Sequence, residues 1–287
     1  MLDRLIRSLA NQETAALFEI SLVVVDNDTT GPARELAKRL SDELSLDITY
    51  GIEPEHTIPA VRNHALRLAR GNYIGIIDDD EFAPSNWLLT LYRAIRTFDV
   101  DGALGPALPF FEQRPPNWLL KARLCDPPLH RTGTLLQWMY CFTNNNLVKR
   151  TVFDEHDLRF DERFKTGGSD QDFFRRAIAL GYRFVAVQEA PVYEIVGPTR
   201  WTRTYWLKRA LVNGFNARKY ASGDMSKVSQ TAVALKSMAA LAAYAFAAPL
   251  CACFGHHRLM QCSEKGCYHL SRACATFGIE LWNKRDF

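Results

Sequence analysis

Apolar residues near the start of this chain fall into two kinds of cluster that alternate. Leu2, Leu5, Ile6 and Leu9 share one face of a helix over residues 1–11. Ile20 to Val25 is instead a continuous, mostly β-branched run, as expected of a strand covered on both faces. Pro32 then suits the first turn of a helix carrying Leu36, Ala37, Leu40 and Leu44. Ile48-Thr49-Tyr50 is a short strand, and Pro59 starts a helix that runs to Ala69. Tyr73 to Ile77 is a third strand, followed after Pro84-Ser85 by a helix with Leu88, Leu91, Tyr92 and Ile95 on one face. This order predicts a parallel sheet joined by right-handed crossovers.

The polar residues gather where those strands end. Asp26-Asn27-Asp28 closes the first strand, Arg62 and Asn63 open a helix, and Asp78-Asp79-Asp80-Glu81 closes the third strand. Open α/β sheets bind ligands outside the carboxyl ends of their strands. A run of adjacent carboxylates there is either a solvated turn or a group neutralised by a cation. Beyond Val100 the pattern loosens. Residues 106–134 contain Pro106, Pro109, Pro115, Pro116, Pro127 and Pro128, an irregular excursion of the kind that forms binding or lid segments.

Three asparagines, Asn144 to Asn146, lie in a segment readable as a simple turn or as a contact to sugar hydroxyls. Gly167-Gly168-Ser169-Asp170-Gln171-Asp172 precedes an apolar-faced helix. Its acids suit a helix start, and equally a carboxylate poised as a general base. Phe184 to Val187 reads as a strand, with Tyr193-Glu194 after it.

Composition adds little until its distribution is considered. A formal net charge of +3 over 287 residues gives no case for nucleic acid. Between Arg200 and Lys236, however, Lys and Arg are opposed by Asp224 alone. Residues 237–255, which follow, are uncharged, Ala-rich and interrupted by Pro249. They are expected to form a buried or interfacial helix rather than a membrane span, with the basic block drawn to anionic lipid. Seven cysteines and no visible signal peptide favour a reducing cytoplasm. Cys262, Cys267 and Cys274 are spaced by five and seven residues, unlike zinc-binding CxxC pairs.

VVVDND at Val23–Asp28, EPEHTIPAVRN at Glu53–Asn63, IDDDE at Ile77–Glu81, GGSDQDFF at Gly167–Phe174 and YWLKRA at Tyr205–Ala210 occur in one order. Together they resemble the family 2 glycosyltransferases, and within them the bacterial succinoglycan-type polysaccharide enzymes. The resemblance implies a GT-A fold, a Rossmann-like mixed α/β sheet with helices on both faces. The expected domains are a catalytic unit over 1–199 and a basic helical region over 200–287.

It further implies inverting transfer of one sugar from a nucleotide-sugar, UDP in the family's commonest case, to a glycan or lipid-linked acceptor in cell-surface polysaccharide synthesis. Carried over by position, Asp26, Arg62, Asn63 and Asp79 face the nucleotide-sugar. Asp78 and Asp80, with Glu194, hold Mg²⁺ or Mn²⁺. Asp170 is the base, and Asn145 and Asp172 lie on the acceptor side. The absence of QxxRW implies a non-processive enzyme, placed peripherally at the inner membrane face. The family also begins with a strand that has no counterpart here. The expectation is an intact enzyme whose start is assigned too late, the alternative being an inactive relic that binds nucleotide-sugar or a partner.

Overall fold

The computed structural model describes residues 1–165, 167–221 and 227–281. It opens with α1 (Leu2–Ala10), β1 (Ser21–Asp26), α2 (Arg34–Leu44), β2 (Asp47–Ile52), α3 (Ile58–Leu68) and β3 (Tyr73–Ile77). β4 (Glu81–Phe82), α4 (Trp87–Phe98), β5 (Gly102–Leu104), β6 (Ala107–Phe110) and α5 (Asn117–Ala122) come next. Then follow β7 (Asn145–Lys149), α6 (Thr151–Asp154), α7 (Ser169–Ala179), β8 (Phe184–Ala186) and β9 (Val192–Ile195). The chain closes with α8 (Arg203–Ala221), α9 (Lys227–Cys253) and α10 (His256–Thr276).

The chain divides into two compact units. The first comprises residues 1–110 and 127–195, and the second residues 111–126 and 196–287. The excursion rich in proline therefore contributes α5 to the helical unit, which a single division near residue 200 does not anticipate.

In the first unit the strands pair differently from the expected parallel succession. β1 and β2 are parallel, from Ser21 beside Asp47 to Asp26 beside Ile52. β3 belongs to a second sheet, ordered β3-β7-β5-β8. There it is antiparallel to β7, with Ile77 opposite Asn145. The asparagine segment expected to be a turn thus enters a central strand. β4, β9 and β6 form a third sheet, in which Glu81 stands opposite Glu194.

Side chains alternate across the four-stranded sheet, as the pleat requires. Ile74, Leu104, Val148, Phe184 and Ala186 pack on one face with Phe173 and Phe174 of α7. Ala103, Leu147 and Val185 pack on the other with Leu5 and Leu9 of α1 and with Trp87, Leu91 and Ile95 of α4. Helices therefore cover both faces. At Gly105 a Cβ would lie 1.9 Å from the carbonyl oxygen of Ala190. Only a residue without a side chain permits that approach.

In the second unit Leu119, Trp206 and Met260 form a small core joining α5, α8 and α10. Gly214 lets α8 approach α10, since a Cβ there would lie 2.2 Å from the Tyr268 carbonyl oxygen. α9 is long and apolar enough over Gln230–Cys253 to cross a membrane by length and composition. The buried alternative does not hold for most of it. Leu235, Met238, Phe246 and Leu250 are exposed, Phe246 by 90%, whereas Ala234 and Ser237 are buried.

Candidate active site at the strand ends

After β3 the chain turns tightly, and Glu81 N–H donates to the Asp78 carbonyl at 3.2 Å. The Glu81 side chain folds back under this turn and is 1% exposed. One of its oxygens accepts Asp78 N–H at 3.0 Å, and the other accepts the Asn144 amide at 3.0 Å. Ile195 N–H donates to the Asp80 carbonyl at 2.8 Å, tying the loop to β9 beside Glu194. Asp79 points outward and is exposed. Burial, reinforced by Asp78 and Glu194, pushes the Glu81 carboxyl up to about 9. Burial also lifts Asp78 to about 6, where Arg62 opposes the rise and Asp80, Asp79 and Asp170 add to it.

Arg62 comes from the other side. Thr57 caps α3 by accepting Ala60 N–H at 3.4 Å, and Pro59 fits the first turn. The helix thereby aims the Arg62 guanidinium at two places, 3.8 Å from an Asp78 carboxylate oxygen and 3.5 Å from the Ser169 hydroxyl. The guanidinium also lies over the Phe160 ring, 5.5 Å from its centroid.

The next residue explains how that geometry is held. Asn63 is buried and accepts Phe160 N–H at 2.9 Å while donating to Phe160 O at 2.8 Å. Phe160 in turn stacks on Phe173 of α7 at 4.8 Å. α3 and α7 are thus locked together through one backbone segment.

α7 starts after Gly168, whose φ of 94° is a left-handed conformation. Asp170 lies in its first turn, where its carboxylate accepts Gln171 N–H at 2.9 Å. Burial raises its pKa, and Arg62 holds the rise back. Arg62 therefore faces Asp78 on one side and the start of α7, with Asp170, on the other.

The remaining expected residues divide. Asp26 accepts the backbone N–H groups of Asp28 and Ala33 at 2.9 and 3.1 Å and the Tyr50 hydroxyl at 3.0 Å, so it shapes the loop after β1. Asn145, expected on the acceptor side, is 1% exposed. It accepts from the Trp87 indole at 2.8 Å and donates to the carbonyls of Pro106 and Ala190. Asp172, also expected there, has a side chain 4% exposed, gripped by Arg175 at 3.1 Å and Arg176 at 2.8 Å. These partners make Asn145 and Asp172 braces of the sheet and of α7. Asn63 is likewise held by Phe160. Glu81 and Asn144 are residues to which the sequence reading gave no role of their own. Their signal was an acid directly after the aspartates and a third asparagine beside Asn145.

Among the described residues no group of three or more His, Cys, Asp or Glu side chains is placed to hold an ion. The donors do suit a cation bound more openly. Asp78 and Asp80 are hard oxygen ligands in a loop with an excess of negative charge, and Mg²⁺ or Mn²⁺ commonly takes one or two carboxylates and completes its shell with phosphate oxygens and water.

A family model described as glycosyl transferase family 2 matches residues 1–157, over half of the 287 residues. The chain belongs to this family. Among relatives of the glycosyltransferase, the succinoglycan biosynthesis protein ExoM of Rhizobium meliloti (strain 1021) is 29% identical over 211 residues, 73% of this chain and 67% of that protein. Glycosyltransferase GlyA of Streptococcus pneumoniae is 34% identical over 94 residues, 32% of this chain but 13% of GlyA, so the chain spans a small part of that protein.

Solved structures share the GT-A fold. The mannosyltransferase PcManGT of Pyrobaculum calidifontis, in complex with GDP-Man and Mn²⁺, superposes with a TM-score of 0.62 at 17% identity, covering 99% of this chain and 84% of that one. S. aureus TarS 1–349 with UDP-GlcNAc gives 0.54 at 16% identity, covering 79% of this chain and 64% of that one.

The bracing by Asn63 leads to a specific expectation. Asn63→Ala leaves the Phe160 backbone N–H and carbonyl unpaired and is expected to destabilise the protein by roughly 3 kcal/mol. Urea unfolding measures this, and a loss below about 1 kcal/mol contradicts the bracing role.

Proposed function

We propose that this glycosyltransferase moves one sugar from a nucleotide-sugar to an acceptor hydroxyl with inversion, using Mg²⁺ or Mn²⁺. The carrying observation is that Arg62 reaches both Asp78 and the residue beside Asp170. Two acidic stations thereby flank one guanidinium, as a displacement with separate leaving-group and nucleophile sides requires.

In this reading Asp78 and Asp80 hold the cation, with Glu194 behind them on β9. The cation, when bound, offsets the charge of the departing diphosphate. Asp79, exposed at the turn, and Arg62 lie on the donor side, and Asp26 fixes the loop that borders the nucleotide. Asp170 takes the proton of the acceptor hydroxyl as the new glycosidic bond forms. A carboxylate whose pKa is raised towards neutrality is the better base at working pH, and such help contributes about 10²- to 10⁴-fold. Ser169 steadies the Arg62 guanidinium rather than reacting.

A role in exopolysaccharide synthesis is supported by the kinship with ExoM, and a UDP-sugar donor, a glycan or lipid-linked oligosaccharide acceptor and non-processive action complete the proposal. Turnover of a panel of nucleotide-sugars with Mn²⁺ tests it. Asp170→Asn is expected to lower kcat by about 10²- to 10⁴-fold while nucleotide affinity persists. Asp80→Ala is expected to lose cation-dependent turnover. Full activity in both variants removes this assignment.

The acids also dictate a pH dependence. A carboxyl raised to about 6 is protonated below that pH, and a proton on Asp78 competes with a cation. Mn²⁺ affinity is therefore expected to be level above pH 7 and to fall about tenfold for each unit below pH 6. Calorimetry at pH 5, 6 and 7 checks this, and equal affinities across the range count against Asp78 as a ligand.

The enzyme is further proposed to work from the cytoplasmic side, resting peripherally on the inner membrane. The exposed apolar residues of α9 and the Lys and Arg between Arg200 and Lys236 support this. Part of that block, residues 222–226, lies outside the described residues. Phe246→Glu combined with Leu250→Glu is expected to abolish flotation with vesicles containing phosphatidylglycerol. Unchanged flotation of the variant, or none of the parent, rules this placement out.

A further inference from the structure

The two acidic stations are joined by a segment to which the proposed chemistry gives no part. It runs from Leu135 through a 3₁₀ turn, Trp138–Tyr140, to Asn144 and the start of β7. Beside the turn, the Gln171 amide, next in sequence to Asp170, donates to the Met139 carbonyl at 3.3 Å. Burial pushes the Cys141 thiol up to about 12, and the nearby Asp170 carboxylate adds to the rise. At the far end the Asn144 amide donates to Glu81 at 3.0 Å, beneath the turn that carries Asp78 and Asp80. The segment therefore passes from the proposed base to the proposed metal loop.

Its inward residues anchor it. Leu136 and Cys141 belong to the core that holds Phe173 and Phe174, and Trp138 packs against that core. Its outward residues need another explanation. Met139, Tyr140 and Phe142 are exposed by 41%, 40% and 39%, and Leu135 is exposed beside them. The Tyr140 ring is steadied by the His130 ring, whose centroid is 4.7 Å away. Scattered exposed apolar residues are ordinary, but a group of them on an anchored turn beside a reaction centre marks a contact surface.

The residue types say what the surface touches. Aromatic faces carry partial negative charge and attract weakly positive hydrogens. One face of a gluco- or galacto-configured pyranose presents such C–H hydrogens, while the hydroxyls at its rim remain able to form hydrogen bonds. Aliphatic residues alone would suffice for a lipid chain. Here two rings stand instead among polar neighbours, Gln137 and Gln171.

We propose that Tyr140 and Phe142, with Met139, form a platform on which a pyranose of the glycan acceptor stacks, holding a hydroxyl towards Asp170. The identity of this ligand rests on the proposed glycosyl transfer, but the stacking itself requires no turnover.

Binding is therefore measured without donor, by NMR of the chain labelled at its methionine methyl groups. The chain has five methionines, and Met139→Leu assigns the signal beside the rings. The probes are cellotetraose and galactotetraose, with farnesyl phosphate as the lipid arm. At least one tetrasaccharide is expected to shift the Met139 signal saturably, and farnesyl phosphate is expected to leave it unchanged. Tyr140→Ala and Phe142→Ala are each expected to weaken tetrasaccharide binding about tenfold. Tyr140→Phe is expected to bind within about twofold of the parent, because the ring and not the hydroxyl makes the contact. Leu180→Ala, at an exposed site beyond the far end of α7, is the control and is expected to change nothing. All these variants are expected to melt within about 2 °C of the parent, as substitutions of exposed residues do.

Four results overturn the platform. Neither tetrasaccharide shifts Met139, or farnesyl phosphate shifts it in their place. Tyr140→Phe loses as much affinity as Tyr140→Ala, or the losses follow a fall in melting temperature. Full activity of Asp170→Asn removes the base and leaves the binding measurement untouched, so failure of the reaction and failure of the platform are told apart.

Discussion

The first unit is organised by the electrostatic problem at the end of β3. Four acids follow one another from Asp78 to Glu81, and a fifth, Glu194, faces them from β9. Carboxylates this close cannot all remain charged in a partly buried place without compensation. The structure compensates in two ways. Glu81 is turned inward and kept largely neutral by its burial, accepting hydrogen bonds from Asp78 N–H and Asn144. Arg62 supplies the opposing charge from α3, to Asp78 and towards Asp170 alike. A single guanidinium at 3.8 Å in a protein environment of intermediate dielectric favours one carboxylate by a few kcal/mol. That is too little to neutralise the whole group, and the remaining negative charge is what makes the loop receptive to a cation.

Holding Arg62 in place is therefore as important as having it. Its neighbour Asn63 is clamped to Phe160 through both backbone groups, and Phe160 is stacked on Phe173. Movement of α7 relative to α3 must break buried hydrogen bonds or unstack an aromatic pair. The separation between Arg62 and the proposed base on α7 is consequently set by the core. The asparagine of the VRN motif carries this positioning, while the arginine beside it carries the charge.

Much of this arrangement was legible in the sequence. β3 fell within the apolar run Tyr73 to Ile77 to the residue, because a short buried run abruptly ended by acids has few other interpretations. α1, β1 and α4 were equally plain from their periodicity. Pairing partners were not legible, since a buried strand reads the same beside a parallel or an antiparallel neighbour. β3 joins β7 in antiparallel fashion for this reason, without violating any local pattern. Roles of polar residues were also opaque. Asn145 and Asp172 look exposed by type, yet partners from distant segments, Trp87 and Pro106 for one and two arginines for the other, bury them. Only tertiary proximity distinguishes a brace from a ligand-facing group.

The same limitation explains why the two apolar surfaces of the molecule need different physical accounts. The half-buried faces of Val23 to Val25 and of Ile76 lie along edges of β1 and β3 that no other strand among the described residues pairs. Apolar exposure there is accompanied by backbone groups that lipid cannot satisfy. α9 presents Phe246 and Leu250 from a helix whose backbone bonds are already internal. It needs only an apolar environment, and a membrane interface beside basic residues supplies that without further hydrogen bonds. An exposed hydrophobic side chain is thus ambiguous by itself. Whether the backbone beneath it is already satisfied decides whether lipid alone can cover it.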